Sequence, residues 1–193
     1  MKTRSKPKEL AVFTVGHSNH PIEKFLDILH AHGVQQVIDI RTIPKSRHNP
    51  QFNMEALAAS LCPEKIRYVH CKELGGLRHA RKDSINLGWR NTSFRGYADY
   101  MQTREFTAAL ERALALARET PTAFMCAEAV PWRCHRSLVA DALLVRGVQV
   151  LEIVSTSPAK EHKLTPFAHV QGTTITYPSV QNSLPLESSG SPS

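Results

Sequence analysis

Two short runs concentrate reactive side chains: Met125-Cys126-Ala127-Glu128 and, shortly after it, Cys134-His135-Arg136. They bring two thiols, a carboxylate, an imidazole and a guanidinium into the turn between an apolar run and a helix-like run. In an open parallel sheet such a turn lies at the carboxyl end of a strand, where ligands bind. A thiol at a helix start, beside Arg133 and Arg136, has its pKa drawn below the ordinary value of about 8.5. That chemistry suits a nucleophile for phosphoryl, sulfur or alkyl transfer. The catalytic candidates are Cys126, Glu128, Cys134, His135 and His17; either thiol can react, either histidine can handle protons, and Glu128 can orient one of them.

The same residue types are metal ligands, with His17 or His70 able to complete a set around Cys126, Glu128, Cys134 and His135. Side chains of neighbouring Cys and His are expected to diverge at a helix start, which argues against both reaching one ion. The residues name no cofactor. A third chemistry is nucleic-acid binding without catalysis, because Phe52, Trp89, Phe94 and Trp132 lie among arginines. Bases stack on such rings while cations meet phosphates; the alternative is that these rings anchor loops to the body of the protein. No helix-turn-helix, zinc finger or RNA-recognition motif is present, so sequence-specific reading has no support.

Strands alternating with helices must position these groups. Residues 11–15 read as a first strand, followed by the turn Gly16-His17-Ser18-Asn19, where Ser18 or Asn19 can cap a helix that carries Pro21 in its first turn. Ile22, Phe25, Leu26 and Leu29 recur at helical spacing up to Gly33. Residues 34–40 form a second strand that ends in Asp39-Ile40-Arg41, and residues 66–71 a third. Phe106, Leu110, Ala113, Leu114 and Ala117 mark the clearest helix, residues 122–126 a fourth strand and residues 148–154 a fifth. The pattern predicts a three-layer α/β fold, a mostly parallel five-stranded sheet with helices on both faces, Rossmann-like in its layering. Right-handed crossovers then gather every post-strand turn on one rim. Ser18, Asn19, Asp39, Arg41, Glu73, Arg133 and Arg136 are the ligand-binding candidates there, with Arg41, Arg133 and Arg136 neutralising an anion. Asp39 and Arg41 can equally form a structural pair, and Gly75-Gly76 can admit a ligand or simply turn the chain.

The chain of 193 residues is 41% hydrophobic and carries a net charge of +7, enough for one domain with additional length. Residues 41–50 hold +3 and residues 72–95 hold +4, together the whole excess; the basic start is cancelled by acids elsewhere. Two basic loops imply an anionic partner, a nucleotide or nucleic acid. No apolar run approaches the roughly 20 residues of a membrane span, and the first apolar run lacks a signal-peptide pattern, so a cytoplasmic protein without a membrane partner is expected. Four cysteines without a Cys-x-x-Cys make no disulfide scaffold; Cys62 and Cys71 read as small buried hydrophobes. Residues 1–10 read as a basic arm, residues 11–154 as the α/β domain, and residues 155–193 as a Pro/Ser/Thr-rich extension. That extension is expected to be irregular except for one short strand near residues 173–177, with disorder expected over its last dozen residues.

Seven motifs occur in order: Thr14-Val15-Gly16-His17-Ser18-Asn19, Asp39-Ile40-Arg41, Asn49-Pro50-Gln51-Phe52-Asn53, Glu73-Leu74-Gly75-Gly76, Tyr97-Ala98-Asp99-Tyr100-Met101, Cys126-Ala127-Glu128 and Cys134-His135-Arg136. As a set, over about residues 11–154, they resemble the prokaryotic family called "domain of unknown function 488". The resemblance implies one compact α/β domain in a soluble prokaryotic protein. It supplies no activity, so the residue roles rest on chemistry alone.

Overall fold

The computed structural model describes residues 10–179. Eight strands and five helices follow in chain order: β1 Ala11–Gly16, α1 Ile22–Ala31, β2 Gln36–Asp39, α2 Met54–Leu61, β3 Arg67–His70, α3 Thr92–Tyr100, α4 Arg104–Ala117, β4 Thr122–Cys126, α5 Arg136–Leu144, β5 Gln149–Ile153, β6 Lys160–Glu161, β7 His169–Gln171 and β8 Thr174–Thr176. The main sheet runs β3-β2-β4-β1-β5-β6. Five strands are parallel, as the alternating pattern requires, and short β6 adds an antiparallel edge on β5.

Alternation along each strand divides the core into two layers. Val12, Ile38, Phe124, Cys126 and Val150 face α3, α4 and α5; Val15, Val37, Ala123, Met125 and Ile153 face α1 and α2. Cys126 therefore belongs to the face that also carries α5. The chain leaves β1 towards β2 and leaves β4 towards β5, so the connections from these two neighbouring strands run in opposite directions. A crevice opens at such a switch point. Backbone pairing continues past the strand ends, with His17 N donating to Cys126 O at 3.0 Å and Ser18 N to Ala127 O at 2.8 Å.

Several local expectations change. Helix α1 starts after Pro21, and neither Ser18 nor Asn19 caps it; Ser18 instead adopts a positive φ of 52°. Helix α3 begins within the long polar segment of residues 72–95 and runs beyond it, capped by Asn91, whose side-chain oxygen accepts from the amides of Ser93 and Phe94. Cys62 is exposed at the end of α2, whereas Cys71 is buried. The segment after residue 155 is more ordered than its composition suggests. It supplies β6 and the β7–β8 hairpin, which turns through Gly172 at φ 60°. The expected N-terminal arm lies, except for Leu10, outside the described residues, and so do the last dozen residues.

A buried polar cluster ties this segment to the sheet. Asp141 on α5 accepts from His162 Nε2 at 2.9 Å, Thr165 Oγ1 at 2.6 Å and Tyr177 Oη at 2.8 Å, while His162 Nδ1 meets Glu152 at 2.7 Å. Burial opposes charge on His162, yet the two carboxylates outweigh it and raise the pKa from 6.5 to about 9. A raised folded-state pKa contributes stability that is fully present below pH 6.5 and is lost as pH rises through about 9. Urea unfolding at pH 6 and pH 10 should show wild type losing about 2 kcal/mol more than His162→Gln between the two. Parallel losses in both proteins would refute the assignment.

Candidate functional site

The crevice holds two adjoining cavities. One, of about 340 Å³, is lined by residues including Ile43, Gly76, Leu77, Phe94, Cys126, Cys134 and His135. The other, of about 420 Å³, is lined by residues including His17, Ser18, Asn19, Lys45, Ser46 and Asn49. Arg41, Ile43, Ala127, Glu128 and Arg133 line both, so the two form one cleft with an apolar half against the thiols and a polar, cationic half beyond it.

The Cys and His side chains converge. Cys134 is extended (φ −131°, ψ 142°) and His135 helical (φ −55°, ψ −15°), so the chain turns between them. The Sγ atoms of Cys126 and Cys134 each lie 3.8 Å from His135 Nδ1, against the expectation that neighbouring side chains diverge. Proximity of the two thiols, helped by burial, pushes Cys126 well up; the same pairing, opposed by burial and aided by the charge and amide of Arg136, draws Cys134 down. The Arg136 amide approaches Cys134 Sγ at 3.4 Å. Glu128 is exposed on the cleft wall. It orients neither histidine: backbone carbonyls of Ser18 and Ile40 hold those rings at 2.7 and 3.1 Å.

Other candidates serve the scaffold. Asp39 is wholly buried, and its carboxylate receives Arg41 Nε at 2.9 Å, Arg41 Nη2 at 2.6 Å and Tyr68 Oη at 2.7 Å. Arg41 also donates to Phe52 O at 2.8 Å and meets His17 Nε2 at 3.1 Å. His17 Nδ1 must donate to the Ser18 carbonyl, which leaves Nε2 to accept from Arg41. Burial and the Arg41 charge lower His17 to about 4, and hydrogen bonds within the scaffold engage both of its ring nitrogens. Arg136 is fully buried and donates to the carbonyls of Glu128 at 2.8 Å and Ala129 at 3.2 Å; it braces the loop and is not presented to an anion. Glu73 is exposed, pairs with Arg112 at 3.3 Å and lines neither cavity.

Lys45 and Gly76 also line the cleft. Lys45 was legible only as part of a basic loop. A Cβ on Gly76 would overlap the His135 ring, so this glycine allows the backbone to pack over the imidazole. The motif containing Tyr97 supports that contact. Tyr97 Oη donates to Leu74 O and Tyr100 Oη to Glu73 O, while Asp99 accepts from Arg81 N, Ser84 Oγ and Asn86 Nδ2. The long polar segment is held in place around α3, with the Tyr97 ring 4.9 Å from that of His135. Among the aromatics considered for base stacking, Phe52 is buried on His17 and Trp89 packs on Phe94, Phe167 and Tyr177; Trp132 is 73% exposed.

Removing Asp39 leaves a buried guanidinium uncompensated, so Asp39→Ala should cost about 3–5 kcal/mol in chemical denaturation, against about 1 kcal/mol for Tyr68→Phe. Equal small losses would show that the pair is not structurally important.

Among the described residues no helix is long and apolar enough to cross a membrane. No curated protein and no solved structure matches the chain. One family model does, over residues 21–143, which leaves β1, its His17-Ser18-Asn19 turn and β5 outside the matched span. That match covers more than half of the sequence: the chain belongs to the family described as domain of unknown function DUF488.

Proposed function

We propose that the chain is an enzyme acting on a phosphate-bearing ligand, with the anion in the cationic half of the cleft and the reacting bond against Cys126, Cys134 and His135. The observation that carries this reading is the shared wall. Arg41 and Arg133 line both cavities, so a ligand held by its phosphate extends directly to the two sulfurs. Four of the five Arg41 donors are committed, which leaves one Nη1–H, while Arg133 and Lys45 are exposed. The cleft volume falls within the range of small-molecule sites, and Ile43, Leu77 and Phe94 offer an apolar wall to a base or other planar group.

Calorimetric titration with inorganic phosphate and with a nucleoside monophosphate tests the anion half. Arg133→Ala and Lys45→Ala should each weaken binding by about tenfold, and Glu128→Gln should strengthen it by removing an opposing charge. Unchanged affinities in all three would contradict the reading. A variant that retains affinity while losing turnover would place the chemistry on the residue changed.

One observation favours a second reading, a nucleic-acid-binding module without catalysis: exposed Trp132 is the chain neighbour of Arg133, which lines the cleft. Under that reading Trp132→Ala weakens binding of a short oligonucleotide by about 1–3 kcal/mol. Affinity also falls steeply with salt and survives replacement of either cleft cysteine.

A further inference from the structure

The sulfurs of Cys126 and Cys134 and Nδ1 of His135 lie within 4.8 Å of one another. Both sulfurs are 3.8 Å from Nδ1. Tetrahedral zinc, with Zn–S of about 2.3 Å and Zn–N of about 2.0 Å, sets the S···N edges at roughly 3.5 Å and the S···S edge near 3.8 Å. The observed S···N edges differ from this by a few tenths of an ångström. The outer nitrogen of the imidazole supplies an independent argument. His135 Nε2 is 3.1 Å from the Ile40 carbonyl, which can only accept, so Nε2 carries the proton and Nδ1 turns its lone pair towards both sulfurs. Metal-bound histidines are fixed in the same way. One thiol proton would satisfy that lone pair, yet two sulfurs stand at the same distance from it.

We propose that Cys126, Cys134 and His135 bind one zinc ion and leave its fourth position open to the cleft. Soft thiolate donors select zinc over magnesium or calcium. Two thiolates around a divalent cation sum to zero charge, which suits sulfurs whose residues are only 6% and 4% exposed. All three ligand residues line the same cavity, so water or a ligand oxygen can take the remaining place. Binding displaces both thiol protons to solvent. With the phosphate at Arg133, on the wall the two cavities share, a water held by the zinc would be activated and would add at phosphorus; the ester P–O bond would break, and the departing oxygen would take up the proton the water gives up. This step rests on the phosphate reading above, whereas metal binding does not.

The test uses the full chain. Zinc affinity is measured by competition with a chromophoric chelator, and cobalt(II) is substituted to look for thiolate-to-metal charge transfer. One ion per chain and a charge-transfer band are expected. Cys126→Ser and Cys134→Ser should each weaken zinc by at least the roughly 100-fold that loss of an outer-shell partner can cost, and Cys71→Ser should bind as wild type does. Should the serine variants fail to fold, wild type still decides: zinc must slow alkylation of Cys126 and Cys134, read by peptide mass spectrometry, and leave Cys62 unaffected. Absence of the band, serine variants that bind zinc at full strength, or alkylation indifferent to zinc would overturn the proposal. Phosphate titration of the chelator-treated protein, compared with its Arg133→Ala variant, reports the anion half separately, so failure of the metal site and failure of the anion site are told apart.

Discussion

The guanidinium of Arg136, with no exposed surface, is the contact on which the candidate site depends. It opens α5 yet reaches back beneath the preceding loop to hold the carbonyls of Glu128 and Ala129. That fixes both ends of the segment from Cys126 to Cys134, so two sulfurs separated in sequence share one imidazole. A Cβ on Gly16 would collide with the Glu128 carbonyl and approach Arg136 Nη1 at 2.7 Å. The glycine at the end of β1, the loop through Glu128 and the arginine after Cys134-His135 are therefore parts of one packing arrangement. A buried cation with only carbonyl acceptors is costly to desolvate; its positive charge beside Cys134 favours thiolate character there.

A second arrangement closes the site from the other side. Asp39, Arg41 and Tyr68 lock the end of β2, and Arg41 holds both His17 and the Phe52 carbonyl. The Ile40 carbonyl, one residue from each member of that ion pair, receives the His135 ring. From the opposite wall, Tyr97, Asp99 and Tyr100 fasten the polar segment that brings Gly76 over the same ring. His135 is thus constrained at its outer nitrogen, on its face and against Tyr97. Such restraint from three elements costs conformational entropy and suits a group that must be ready before its ligand arrives.

Much of this was legible in the residues. Short apolar runs marked β1 to β5, four of them with a glycine or proline at one end, and the parallel layering followed from their alternation with helices. Helix α3 was not legible because its buried residues are Gly96, Tyr97, Ala98 and Asp99, which include a charged side chain and make no apolar stripe. The β6 strand and the hairpin after it were hidden by a Pro/Ser/Thr-rich composition; long-range bonds to Asp141 order that segment. At the site, residue type identified the Cys, His and Arg cluster, but type alone cannot say whether an arginine points to a ligand or to carbonyls. Arg41 and Arg136 look alike in sequence, and tertiary burial separates both from exposed Arg133. The meeting of Cys134 with His135 depends on a change of backbone conformation between them that no spacing rule encodes.

Thiols, imidazole and cationic wall are proposed to form one site. Anomalous X-ray diffraction at the zinc edge, from crystals grown with zinc and a nucleoside monophosphate, tests it most directly. A single anomalous peak is expected between Cys126, Cys134 and His135, with the phosphate beside Arg133 and Lys45. Zinc elsewhere, or a nucleotide bound outside the cleft, would contradict it.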